Sequence, residues 1–273
     1  MLLSLLLALV PIVQDPPKPA PPDPEKLKAA ITQLSEAFAK TDAGPRLRAI
    51  ENGAAFADPE IVKWIAKGLS DKEVGVQEAA IEALRFNEHK KALDALHDRA
   101  KQKAAKENLG MYAKLLRAIG QHGDESSFEL LAENPWSAQD AKVIEAKVMG
   151  LARIRKKESV KAICDMMEMG GPQKVQPFMQ DIRVALWSLT GADQEGSRDL
   201  WLKWYRDHKD KLEVRPTPSN EPRELAMRWK RYWEKPGAAE EESPRRKKGE
   251  GRRGGDGTPP EKGGGTPPKE GGD

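Results

Sequence analysis

The sequence predicts an all-α fold, a right-handed α-solenoid of about five helical hairpins closed by an aromatic-rich C-terminal cap. Three observations lead there. From Pro24 to about Leu212 apolar residues recur at three- and four-residue spacing, with no alternating β-branched run of the kind a sheet needs. A short block recurs along the same stretch at near-constant intervals. Charged residues make up 33% of the 273 residues and hydrophobic ones 38%. That balance is too lean for a deep globular core but suits a thin stack in which each helix keeps one wet face.

The repeated block is "RAIENG", "EALRFN", "RAIGQH", "MGLARI" and "VALWSL". Its first column is small throughout, Ala49, Ala83, Ala118, Gly150 and Ala185, and its second is large and aliphatic, Ile50, Leu84, Ile119, Leu151 and Leu186. Successive copies are 34, 35, 32 and 35 residues apart. In three copies the register extends further: Leu93, Phe128 and Val160 stand ten residues past the small position, and Leu96, Leu131 and Ile163 thirteen past it. Small residues let neighbouring helices approach closely while aliphatic ones fill the space between layers. Each unit has an apolar face it cannot bury alone, so stacking supplies the core.

"DPEIVKWIAKGLSDKEVGVQEAAIEALRFN", Asp58 to Asn87, resembles a HEAT-type repeat. It has an opening helix, an aspartate at the turn (Asp71), and a second helix of the form V-x-x-A-A-x-x-A-L carried by Val76, Ala79, Ala80, Ala83 and Leu84. "YAKLLRAIGQHGDESSFELL" and "AKVMGLARIRKKESVKAI" are further copies. The resemblance covers roughly residues 25 to 212 and implies a HEAT-like helical stack, with Gln77 standing where the motif usually carries Arg.

Taken in chain order, "MLLSLLLALVPIVQ" (1–14) has the apolar length of a secretory signal and is too short to span a bilayer comfortably. Residues 15–24 are a proline-stiffened linker, and 25–212 form the HEAT-like repeat domain. The last copy begins in "VALWSLTGADQEGSRDLWLKWY" and then leaves the pattern. Thr190-Gly191 ends a helix, and a new one starting near Ser197 presents Leu200, Trp201, Trp204 and Tyr205 as one aromatic face, as the end of a stack requires. This ending is similar to that of some exported bacterial HEAT-like proteins. In 213–235 Asn220 is the expected N-cap of a C-terminal capping helix with Leu225, Trp229 and Trp233 in a stripe. Residues 236–273, Gly-, Pro- and charge-rich without a large apolar residue, are expected to be disordered.

Catalytic and metal motifs are not found. The four histidines lack the spacing of a zinc site: His89 and His97 are eight residues apart, about 12 Å by helical rise. His122 and His208 stand far from either, and all four are expected at surfaces or turns. No GxSxG, GxGxxG or P-loop pattern occurs. In "GDESS" Asp124 or Ser126 is expected to cap a helix. Cys164 is the only cysteine, can close no internal disulfide, and is expected as a small buried apolar group.

A net charge of +3 excludes a strong overall field. Locally, Lys114, Arg117, Arg153, Arg155 and Arg183 fall on or beside the second helices of successive units. The HEAT resemblance implies that these helices line a concave face, which makes the five residues the candidate binding residues. The expected function is that of an exported, periplasmic or extracellular, non-catalytic scaffold, a monomer without cofactor or metal, that binds a protein through this face. The alternative is a polyanion such as nucleic acid, held by the groove cations and the basic tail.

Overall fold

The computed structural model describes residues 23–235, and every regular element among them is helical. The expected signal segment and the tail beyond Lys235 lie outside the described residues, as does most of the proline-rich linker. The chain divides into one unit ending at Trp233 and a second, Glu234–Asp273, of which only Glu234 and Lys235 are described.

Within the first unit the helices alternate between two layers. The first helices of the hairpins are α1 (Pro24–Phe38), α3 (Pro59–Gly68), α5 (Lys90–Lys101), α8 (Phe128–Ala132) and α10 (Lys157–Val175). The second helices are α2 (Ala43–Gly53), α4 (Val74–Arg85), α7 (Leu109–His122), α9 (Ala141–Arg153) and α11 (Met179–Thr190). A short α6 (Lys103–Glu107) bridges α5 and α7, and α12 (Arg198–His208) follows α11. Each second helix packs on the next, α2 on α4, α4 on α7, α7 on α9 and α9 on α11, while α1, α3 and α5 pack in sequence behind them. This is the α-solenoid expected from the repeats.

Both columns of the repeated block are buried. Ala49, Ala118, Ala185, Ile50, Leu84, Ile119, Leu151 and Leu186 are essentially inaccessible, and Ala83 and Gly150 are buried with them. The small column does what its size allows. α7 and α9 meet at Gly120 and Gly150, where a Cβ on Gly120 would sit 2.7 Å from the Gly150 Cα. A Cβ on Gly150 would in turn lie 3.1 Å from Leu131 of the other layer.

Helix starts follow local chemistry. Asp23, Asp42, Asp58 and Asp140 each accept backbone N–H bonds at the N-termini of α1, α2, α3 and α9, satisfying donors that have no partner inside the helix. Asp124 does the same ahead of a 3₁₀ turn. α11 stops at Gly191, whose φ of 76° is left-handed, and Ser197 caps α12.

Two details differ from expectation. In α12 the buried residues are Trp201 and Leu202, whereas Leu200 is 49% exposed. With Trp201 and Leu202 both facing inward, helix geometry places Leu200 toward solvent, and Trp201 Nε1 donates to the Glu195 carbonyl at 3.1 Å. The last helix, α13 (Arg223–Trp233), is started by Glu221, whose Oε2 accepts from the Arg223 amide at 3.1 Å, and not by Asn220. Leu225, Trp229 and Trp233 are buried as a stripe. α13 packs closely against α11 and then continues back across the second-helix face as far as α4, so it covers more than the end of the stack.

Candidate binding groove on the second-helix face

The second-helix face is divided lengthwise. Toward the C-terminal ends of α7 and α9 it is covered by α13; beside that helix it is open. Arg117 Nη2 donates to the Tyr232 carbonyl, and its guanidinium lies 4.8 Å from the Tyr232 ring centre. Arg153, at the end of α9, donates to the Gln121 carbonyl at 2.8 Å and sits 5.4 Å from the Trp233 ring. Arg155, two residues later, donates to the Ser188 carbonyl and lies 5.7 Å from the Trp229 ring. Three of the five candidate residues therefore converge on one helix, through charge–ring contacts and carbonyl capping.

The other two are placed differently. Lys114 remains exposed and pairs with Glu78 of α4 at 2.5 Å. Arg183 forms a two-bond pair with Asp193, at 2.8 and 2.7 Å, in the turn after α11 and does not join the row. One contributor was missed by sequence reasoning. Arg85, at the end of α4, is 2% exposed and donates to the Trp233 carbonyl at 3.1 Å, to the Tyr232 carbonyl at 3.5 Å and to Gln121. The available signal was its place directly after Leu84 in the aligned "EALRFN" block.

The row is desolvated. Burial lowers Arg155 to about 10, with the neighbouring Arg153 charge adding to the effect. Burial lowers Arg153 as well, and lowers Arg85 together with repulsion from Arg117. Among the described residues, Arg117 Nε, Arg153 Nε and Trp233 Nε1 are buried at this contact without an acceptor. Each such group costs on the order of 1–3 kcal/mol. The α13 seat is thus well matched in rings and carbonyls but incompletely satisfied in hydrogen bonds.

The open half is a groove of about 620 Å³ between α7, α9, α11 and α13. Gly110 and the largely buried Ala113, Ala146 and Met149 form its floor, and Lys114, Lys142, Glu145, Asp181, Arg228 and Arg231 supply its charge. Lys142 donates to Glu145 at 2.8 Å, and that bond raises its pKa. Burial pushes the Asp181 carboxyl up, against the bond from Arg228 at 2.8 Å that draws it down. Both signs of charge over small apolar side chains suit a polypeptide surface, which offers donors, acceptors and apolar contacts together.

Elsewhere, His97, His122 and Cys164 are packed into the repeats. Among the described residues no cluster of three or more His, Cys, Asp or Glu side chains could hold a metal. His97 and His122 are half-buried, which departs from the surface or turn setting expected for them. His97 Nε2 shares a 2.9 Å bond with Ser127 Oγ, and His122 Nε2 lies 3.1 Å from the Leu84 carbonyl, so the repeats absorb them as packing groups. Cys164 is buried and its thiol is pushed up to about 12 by burial, which keeps it a neutral thiol. No helix among the described residues is long and apolar enough to cross a membrane.

Comparison with known proteins gives a match to HEAT repeats over residues 31–109. No curated protein matches the chain. The match and the two-layer helical stack together support a HEAT-like repeat protein, a class that generally serves as protein-interaction scaffolds.

Proposed function

We propose that this protein is a non-catalytic scaffold of the cell envelope that binds a protein partner in the open groove beside α13. The groove itself carries the reading: small apolar residues of α7 and α9 lie beneath charges of both signs, held in place by packed helices. Rigid display of many weak contacts lowers the ordering cost of association. The apolar run of residues 1–14 supports the envelope location.

A polyanion has less support as the occupant. Arg117, Arg153 and Arg155 are engaged by α13, and Arg183 by Asp193.

The test is affinity capture from envelope and cytoplasmic extracts with the wild-type chain and a Lys114→Glu/Lys142→Glu variant of equal thermal stability. One specific envelope protein, retained at least about tenfold less by the variant, is the expected result. Equal capture by both chains would remove the groove reading, and recovery from cytoplasm alone would remove the envelope location. Retention of nucleic acid with steep salt dependence would favour the polyanion.

A further inference from the structure

We propose that Arg85, Arg117, Arg153 and Arg155 form a receptor for the C-terminal turn of an amphipathic aromatic helix, that α13 fills it as a tethered occupant, and that a partner helix with the same aromatic spacing binds by taking its place. This rests on the groove reading and names the element by which a partner engages it.

Recognition is of two kinds. Arg85 and Arg117 donate to the carbonyls of Tyr232 and Trp233. Carbonyls of a last helical turn have no partner within the helix and carry the negative end of its dipole, so any helix ending at this point offers the same group. The side chains are read separately, with Trp229, Tyr232 and Trp233 each beside a different guanidinium: Arg155, Arg117 and Arg153. The receptor therefore selects a helix with aromatic residues at i, i+3 and i+4 that ends immediately after the last.

The seat is built for exchange. α13 packs closely against α11 but reaches α9, α7 and α4 through long side chains. The three buried polar atoms without acceptors, Arg117 Nε, Arg153 Nε and Trp233 Nε1, lie within this contact, leaving room for a better-matched helix. The connection from α12 is pinned where the Arg215 amide donates to the Leu189 carbonyl and where Trp187 Nε1 donates to the Glu221 carbonyl. Release thus requires movement only beyond Glu221. Leu225, Trp229 and Trp233 are buried in this seat, and exposing their apolar and ring surface disfavours an empty row, so α13 leaves when a substitute arrives. Arg117 and Tyr232 also line the open groove, which puts a bound partner next to the helix it replaces.

The experiment uses the full chain and a fluorescein-labelled peptide of residues 220–235. A Trp229→Ala/Trp233→Ala chain has a weakened internal competitor and should bind the peptide about tenfold or more tightly than wild type, because the competent fraction rises. A peptide carrying the same two substitutions should bind neither chain. If the double variant melts as a folded solenoid yet binds the peptide no better than wild type, the proposal is overturned. Hydrogen exchange on the wild-type chain decides the matter should the variant fail to fold. Amides of Arg223–Trp233 should exchange about a hundredfold faster than those of α9, and equal protection rejects a displaceable helix. Peptide exchange without any captured partner would remove the groove reading and leave the displaceable helix standing; capture without peptide exchange would do the reverse.

Discussion

At the scale of single residues, closeness between repeats depends on missing side-chain atoms. Gly120 faces Gly150 so tightly that a methyl group on it would meet backbone, which cannot swing aside. Gly120→Ala should therefore destabilise the fold by about 1–3 kcal/mol despite a better helix propensity, read as a lower Tm. Gly75 in α4 has nothing within 4 Å of a Cβ, so Gly75→Ala should leave Tm unchanged or raise it. A similar loss in both variants would show that propensity, and not interhelical approach, governs these sites. The aligned columns made Gly150 legible as a packing position. Gly120 was not, because its role comes from a contact with another repeat, which a one-dimensional register does not display.

At the scale of elements, the repeats are tied by polar contacts that reach across hairpins. Arg46 of α2 donates to both carboxylate oxygens of Asp71, in the turn between α3 and α4, at 2.7 and 3.0 Å, and caps the carbonyls of Lys40, Thr41 and Asp42. Gln77, in the motif position usually held by Arg, donates to the Asp71 carbonyl at 2.5 Å, so a guanidinium from the preceding unit serves the aspartate instead. Burial alone would raise the Asp71 carboxyl. The bond from Arg46, the Glu73 amide and the charges of Arg46 and Lys72 outweigh it and hold the group below its ordinary value. A lowered folded pKa means stability present at neutral pH, above the unfolded value, and lost as pH falls through the folded one. Asp71→Asn should cost about 1–3 kcal/mol near pH 7, with the gap from wild type closing below about pH 4, as measured by urea denaturation across that range. A gap that persists at acid pH would mean the ion pair is not its source. The turn aspartate was visible in the motif; its partner, 25 residues earlier, was not, because local pattern carries no information about which cation arrives.

For the whole molecule, a stack whose units touch only their neighbours unfolds with limited cooperativity. Here α13 spans from α11 to α4 and couples units that do not otherwise meet. Trp229→Ala/Trp233→Ala should broaden the urea transition and lower its m-value as well as its midpoint, whereas an unchanged m-value would show that α13 adds stability without coupling. The spacing of apolar and small residues by itself determined the helical class, the hairpin period and the two buried columns of the repeated block. Each of these follows from backbone hydrogen bonding and burial within one unit or between adjacent ones, and sequence periodicity records them directly. Only the tertiary structure decided that the candidate arginines Arg117, Arg153 and Arg155 join Arg85 around a helix from the far end of the chain, while Arg183 turns to Asp193. A guanidinium can be met by a carboxylate, a carbonyl or a ring, and the choice among them depends on what folding brings within a few ångströms.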